Sequence, residues 1–212
     1  MSGMTDEPSQ TPPATQSDAE TLRKAQAGDR SAFALIVTTW QDRIYNAMRK
    51  ITGNADDAAD LTQETFTRAL GNLGSFRGDS SVYTWLFRIA VNLSMTRARQ
   101  VKRRRTFLAG GLFGGAAADD DSQSSFFDRR EDPKADPPPA AVESKERRRM
   151  VLQALQRLDE QQRSLLVMRD IEGMDYQQIA DLLALPLGTM KSRLFRARMA
   201  LRDELKGYLD LV

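Results

Sequence analysis

Thr189-Met190-Lys191-Ser192-Arg193-Leu194-Phe195-Arg196-Ala197-Arg198 places four cations on a short stretch whose apolar positions keep a helical rhythm. Met190, Leu194, Ala197 and Leu201 recur at intervals of four, three and four, which is one buried stripe of an α-helix. The cations are therefore expected to face outward. Upstream, Asp175 with Gln178 has the pattern of a capping box, and Tyr176, Ile179, Ala180 and Leu183 form the apolar face of a short helix. Two short helices joined by Ala184-Leu185-Pro186, the second one basic, read as a helix-turn-helix whose second helix enters a DNA major groove. The plainer alternative is a solvated basic face, the usual fate of a charge run on a helix. The capped frame around these cations favours the first reading.

With 212 residues, the chain is long enough for one or two small domains, each with a modest core. Its charged content of 28% and hydrophobic content of 41% are ordinary for a soluble protein, and the formal net charge is only +2. What matters is segregation. Residues 97–105 carry Arg97, Arg99, Lys102, Arg103, Arg104 and Arg105, whereas residues 115–143 carry eight acids against three bases. Basic faces attract phosphate by counterion release, and a separate acidic stretch can compete for the same kind of surface.

The sequence has no cysteine and no histidine. That removes disulfides, thiolate and imidazole metal sites and thiol redox sensing, together with the commonest general base. A non-enzymatic protein is expected, with no catalytic residue, metal, cofactor or small-molecule substrate. No apolar run approaches a bilayer span, and the Pro-rich start, which contains Asp and Glu, lacks the pattern of a secretion signal. The expectation is a cytoplasmic protein with no membrane insertion.

Periodicity predicts an all-α protein of two small helical domains joined by a long flexible linker. Residues 1–17 have almost no large apolar group and read as a disordered tail. In residues 18–100, Phe33, Ile36, Val37, Trp40, Ile44 and Ile51 share one helical face. A second amphipathic helix with Ala58, Leu61, Thr65 and Ala69 follows the Gly53-Asn54 break. After Asp79-Ser80, the positions Val82, Trp85, Leu86, Ile89, Ala90 and Leu93 repeat as a core-facing stripe. Residues 101–145, with paired glycines, Asp119-Asp120-Asp121 and Pro137-Pro138-Pro139, show no period and read as an acidic linker. Phe107, Leu112, Phe113, Phe126 and Phe127 within it are either transient contacts or idle. Helical signals return over 146–207, where Asp159 with Gln162 caps a helix carrying Leu165, Leu166 and Met168.

Two further constellations point to partners. Asp57, Asp60, Gln63, Glu64 and Thr67 share one polar helical edge, which suits a basic protein more than a nucleic acid, although Asp57 has a local alternative as a helix-dipole complement. The loop Gly74-Ser75-Phe76-Arg77-Gly78-Asp79-Ser80, followed by Tyr83, Trp85 and Phe87, sets aromatic rings beside a cation, the chemistry of unpaired bases. Trp85 lies on the core stripe, so Phe76, Arg77 and Tyr83 are the better ligands. Thr84, Arg88, Asn92, Met95 and Arg99 line the other side as a polar stripe that leads into Lys102–Arg105. Such a stripe can follow a phosphate backbone while Asn92 reaches a base edge.

Several of these segments carry a family likeness. Asp60-Leu61-Thr62-Gln63-Glu64-Thr65-Phe66, Phe76-Arg77-Gly78-Asp79-Ser80, Tyr83-Thr84-Trp85-Leu86-Phe87-Arg88-Ile89-Ala90-Val91-Asn92, Leu187-Gly188-Thr189-Met190-Lys191-Ser192-Arg193 and Phe195-Arg196-Ala197-Arg198 closely resemble the extracytoplasmic-function sigma factors of the sigma-70 family, in particular the RpoE-like branch. The resemblance covers about residues 20–100 and 145–205 in the same order. It implies sigma domain 2, a linker and sigma domain 4, with no third domain between. By that likeness, Asp57, Asp60, Gln63 and Glu64 meet the basic β′ coiled coil of core RNA polymerase, whose β flap is a further contact. Phe76, Arg77 and Gly78 capture an unstacked base of the −10 promoter element, with Tyr83, Arg88 and Asn92 nearby. Thr189, Lys191, Ser192, Arg193, Phe195 and Arg196 read the −35 element. In the family the linker resembles a thread through the polymerase cleft; here it is long and acidic for the family, a departure from which we expect Asp119–Asp121 and the neighbouring acids to occupy the basic channel later filled by RNA. The resemblance also implies control by an anti-sigma protein.

Ala184 departs from the family, which often has glycine at that turn; a left-handed backbone there would cost on the order of 1 kcal/mol. Two other classes compete with this reading. A helix-turn-helix repressor or activator would bind duplex DNA unaided as a dimer, with no use for the acidic edge or the aromatic loop. A helical adaptor joining two proteins would not need the cations of the second helix.

Overall fold

The computed structural model describes residues 16–110 and 139–209, and every regular element among them is helical. The N-terminal unit contains α1 (Gln16–Gln26), α2 (Arg30–Thr52), α3 (Ala55–Gly71), a 3₁₀ turn at Leu73–Ser75 and α4 (Val82–Gly110). The C-terminal unit contains α5 (Pro139–Arg157), α6 (Glu160–Leu166), a π-helical turn at Val167–Ile171, α7 (Tyr176–Leu183) and α8 (Leu187–Leu209). No helix of the described residues is long and apolar enough to cross a membrane.

Local chemistry sets the helix ends. Asp29 caps α2 by accepting from the Ser31 and Ala32 amides at 2.8 and 3.1 Å. Gly53 closes the same helix at φ 76°, a left-handed conformation that favours glycine. Asn54 caps α3 and is followed by Asp56 and Asp57, whose charges complement the positive end of the helix. The Thr84 amide donates to the Ser81 hydroxyl at 3.1 Å and so starts α4.

Each unit buries the stripe that its periodicity predicted. Ile36, Ile44 and Ile51 of α2 pack with Ala58, Leu61 and Ala69 of α3 and with Val82, Leu86, Ala90 and Leu93 of α4. In the C-terminal unit Leu165, Leu166 and Met168 meet Ile179 and Ala180, while Met190, Leu194 and Ala197 of α8 close the core. Burying a large aliphatic side chain contributes about 1.5–3 kcal/mol, so these stripes dominate the packing.

The structure differs from the sequence-based layout in two ways. First, α4 continues to Gly110 and α5 begins at Pro139, so helix occupies both ends of the segment read as linker 101–145. Lysine and arginine are good helix formers, and the run from Val101 to Arg105 offers α4 no reason to stop before the glycines. The acids Asp119–Asp121 and the side chains of Leu112, Phe113, Phe126 and Phe127 lie outside the described residues. Second, the two units are packed together: α2 contacts α5, α6 and the π turn, and one apolar cluster runs through both.

Candidate nucleic-acid and partner interfaces

The helix-turn-helix is assembled by hydrogen bonds within a few residues. Asp175 accepts from the Gln178 amide at 2.7 Å, and the Gln178 side chain accepts from the Asp175 amide at 3.3 Å, which completes the capping box. The turn after α7 closes with the Leu185 amide on the Ala180 carbonyl at 2.9 Å and the Ala184 amide on Asp181 at 3.2 Å. This is the Schellman pattern, with Ala184 in the left-handed position at φ 50°, ψ 47°. Ala184 is the one non-glycine residue with positive φ among the described residues. The alanine therefore pays the left-handed penalty considered above.

Along α8, the buried stripe leaves Lys191, Ser192, Arg193, Phe195 and Arg196 exposed and Thr189 half-buried. Phe195 is 65% exposed, a large ring mostly open to solvent. Lys191 sits 5.5 Å from the centre of the Tyr176 ring. Arg198 does not share the outward face. It grips Asp170 at 2.5 and 3.2 Å, and those hydrogen bonds raise its pKa. Three of the four cations in the quoted stretch thus remain on the exposed face.

The 74–80 loop is held from a distance. The Gln26 amide donates to the carbonyls of Leu73 at 2.8 Å and Phe76 at 3.0 Å, a support that no local sequence signal announces. Gly78 has φ 85°, so the turn favours glycine there. Arg77 is exposed, and Phe76 is half-buried, edge-on to Trp85 with centroids 5.3 Å apart. Asn92 is exposed, and Arg88 is half-buried with its Nε enclosed and without a hydrogen-bond partner.

Tyr83 differs from the expectation of a ring presented beside the loop. It is only 4% exposed, stacked on Phe87 and covered by Trp40, while Trp85 is the more open of the two rings. The reason is tertiary: α2 and the C-terminal unit cover the face of α4 that carries Tyr83 and Phe87. Thr84, placed on the polar stripe, is also buried, with its hydroxyl on Ser81 at 2.8 Å.

The acidic edge of α3 lies on the surface as expected, but its charges already have partners. Arg97 of α4 reaches Asp57 at 2.6 Å and Asp60 at 3.4 Å, and Arg68 holds Glu64 at 2.7 Å. Gln63 is exposed beside them. The 37-residue separation of Arg97 from Asp60 hid this pairing from sequence periodicity.

Comparison with known proteins agrees with this arrangement. Residues 36–105 match Sigma-70 region 2, and residues 148–201 match Sigma-70, region 4. The chain is 34% identical to the RNA polymerase sigma-H factor of Pseudomonas aeruginosa, covering 92% of this chain and 96% of that one. It is 33% identical to the ECF RNA polymerase sigma factor SigW of Bacillus subtilis, over 87% of this chain and 95% of its relative. Among solved structures, CnrH in complex with the cytosolic domain of CnrY superposes with a TM-score of 0.55 at 25% identity, covering 91% of this chain and 99% of that one. The two region matches in their order, and relatives that align along nearly their whole length, place the chain in the sigma-70 family as an extracytoplasmic-function RNA polymerase sigma factor.

Proposed function

We propose that this protein is a non-catalytic initiation subunit that binds core RNA polymerase in the cytoplasm, directs it to specific promoters and assists opening of the duplex. The observation that carries the proposal is the presence, on one chain and in family order, of three chemically distinct surfaces. An acidic edge lies on α3, an aromatic-basic loop stands before α4, and a basic helix projects from a helix-turn-helix. Asp57, Asp60, Gln63 and Glu64 would receive the basic β′ coiled coil. Phe76, Arg77 and Gly78 would hold an unstacked −10 base, with Tyr83, Arg88 and Asn92 alongside. Thr189, Lys191, Ser192, Arg193, Phe195 and Arg196 would read the −35 duplex.

Each surface alone is modest. When polymerase fixes their separation, two weak DNA sites on one chain gain effective concentration, and neither domain need bind tightly by itself. A stand-alone repressor would leave the acidic edge and the loop without purpose. The sigma factor RpoE of Bartonella quintana, solved in complex with the anti-sigma factor NepR and sharing this fold at a TM-score of 0.56, supports an anti-sigma protein as the regulator here also.

The test is run-off transcription with purified core polymerase on a pool of genomic promoters, comparing the natural chain with Asp60→Arg/Glu64→Arg. Specific transcripts that vanish with the reversed charges are expected. Transcripts that are indifferent to the reversal, or none at all alongside tight duplex binding by the free protein, would refute the proposal.

A further inference from the structure

Beside the apolar cluster that they share, the two units meet at a set of polar contacts centred on Tyr83, which also stands alongside the proposed −10 surface. Tyr83 stacks on Phe87 with centroids 5.8 Å apart and tilts against Trp40 at 5.5 Å. The Arg43 guanidinium lies 3.6 Å from the centre of the Tyr83 ring. Into this nest the π turn delivers Glu172, from 129 residues beyond Arg43. Its carboxylate accepts from the Tyr83 hydroxyl at 2.5 Å and from Arg43 at 3.4 Å, and its side chain is only 6% exposed. Burial and the neighbouring Glu172 charge push the Tyr83 phenol far above its usual pKa, so it stays a donor. Lys50 stands close enough to feel the same carboxylate, which opposes the downward pull of burial on its ammonium group.

A second charge crosses the joint nearby. Arg163 of α6 is 8% exposed and lies over the C-terminal end of α2, so close that a Cβ on Gly53 would fall 2.5 Å from its Nη1. The negative end of the α2 dipole faces this guanidinium. Arg163 also donates to the Leu158 carbonyl at 3.1 Å, while its Nε has no partner. Burial lowers its pKa, with Glu160 and Asp159 acting in the other direction.

An apolar joint would lose buried area when the units part and gain nothing in return. Here separation rehydrates a carboxylate and a guanidinium, which offsets part of the lost contact energy. The joint is therefore specific in register yet separable, like the transient interfaces between domains. We propose that it is an intramolecular latch: Tyr83 and Arg43 form a carboxylate receptor on the N-terminal unit, and Glu172 of the C-terminal unit occupies it in the free chain. The latch holds the two DNA-reading units together until polymerase or promoter pulls them apart. Its consequence for initiation rests on the sigma-factor function proposed above, because departure of Glu172 frees the Tyr83 hydroxyl and the Arg43 guanidinium beside the base-capturing loop, while Trp40 and Phe87 of the same unit stay on the ring.

The absence of native cysteine allows clean labelling of the full chain at Thr67→Cys and Lys206→Cys, both exposed positions, one in each unit. Spin-label distances in the free protein are compared among the natural interface, Glu172→Lys, Arg43→Glu and the exchanged pair Arg43→Glu/Glu172→Arg. The natural interface is expected to give one short distance. Each single reversal shifts the closed-to-open ratio by on the order of tenfold or more, and the exchanged pair restores a large part of it. Unchanged distances in both single variants, or an exchanged pair no more closed than either, would overturn the latch; recovery in that pair also shows that the reversed side chains do not simply unfold the protein. Run-off transcription at limiting protein separates the two proposals. More transcript from Glu172→Lys than from the natural chain supports a latch that restrains initiation, and equal transcript refutes that restraint. No transcript from the natural chain would overturn the sigma-factor function while leaving the latch to stand on the distances.

Discussion

The acidic edge of α3 and the basic face of α8 are both exposed, yet they hold their charges differently. On α3, Asp57 and Asp60 share Arg97, and Glu64 is paired with Arg68. On α8, Arg193 and Arg196 project into solvent and join no ion pair among the described residues, while Arg198 is the cation committed to an internal acid. The difference is one of readiness. A duplex offers phosphate along its whole length, so unpaired cations on a rigid helix can engage it without rearrangement. The acidic edge has its three carboxylates partly offset by two guanidiniums, so a basic protein would have to exchange one set of partners for another, which weakens the attraction for wrong partners as well as right ones.

The strongest way to break this comparison is to reverse the ready cations. Arg193→Glu/Arg196→Glu should lower run-off transcription from the protein's own promoters by about 100-fold or more, since each good base contact discriminates by about 1–3 kcal/mol and reversed charge adds repulsion. Binding to core polymerase, measured by co-elution, should stay unchanged. A loss of transcription below about tenfold would return these cations to the solvated-face reading.

Readiness of this kind is visible in sequence because it is local. The capping box of Asp175 and Gln178, the α8 stripe of Met190, Leu194 and Ala197, and the left-handed demand at Ala184 all depend on residues three to five positions apart. The burial of Tyr83 was not legible, because it is created by Trp40, 43 positions earlier, and by Glu172, 89 positions later. Arg97 and Gln26 were missed for the same reason: a cation within a polar stripe and a glutamine near a helix end look alike whether they support a site or face water. The close packing of the two units was also hidden, since Glu172 and Arg163 are ordinary surface residues in any helical pattern.

A milder change sharpens the contrast on the C-terminal side. Ala184→Gly should relieve the left-handed strain and stabilise that unit by about 1 kcal/mol. If the unit melted as an independent small domain, the midpoint would rise by about 4–8 °C. Hydrogen exchange should show stronger protection for α7 and α8 and no change in α3. Equal protection throughout would mean that the two units unfold as one, and would extend the coupling of the joint to global stability.

The smallest expected effect bears on the acidic edge of α3. Arg97 presents its guanidinium to Asp57 and Asp60 where both acids remain substantially exposed, so water and salt screen the pair. Such a contact contributes about 0.2–1 kcal/mol, and any incoming basic partner has to displace it. Arg97→Met keeps an unbranched aliphatic side chain on α4 and removes only the competing charge. Affinity for core polymerase should then rise about 1.4- to 5-fold at low salt, with the gain shrinking as salt is added. The opposite result would be equally instructive. A fall in affinity would mean that Arg97 orients the two carboxylates for the partner, and that the edge, like α8, is preset for binding.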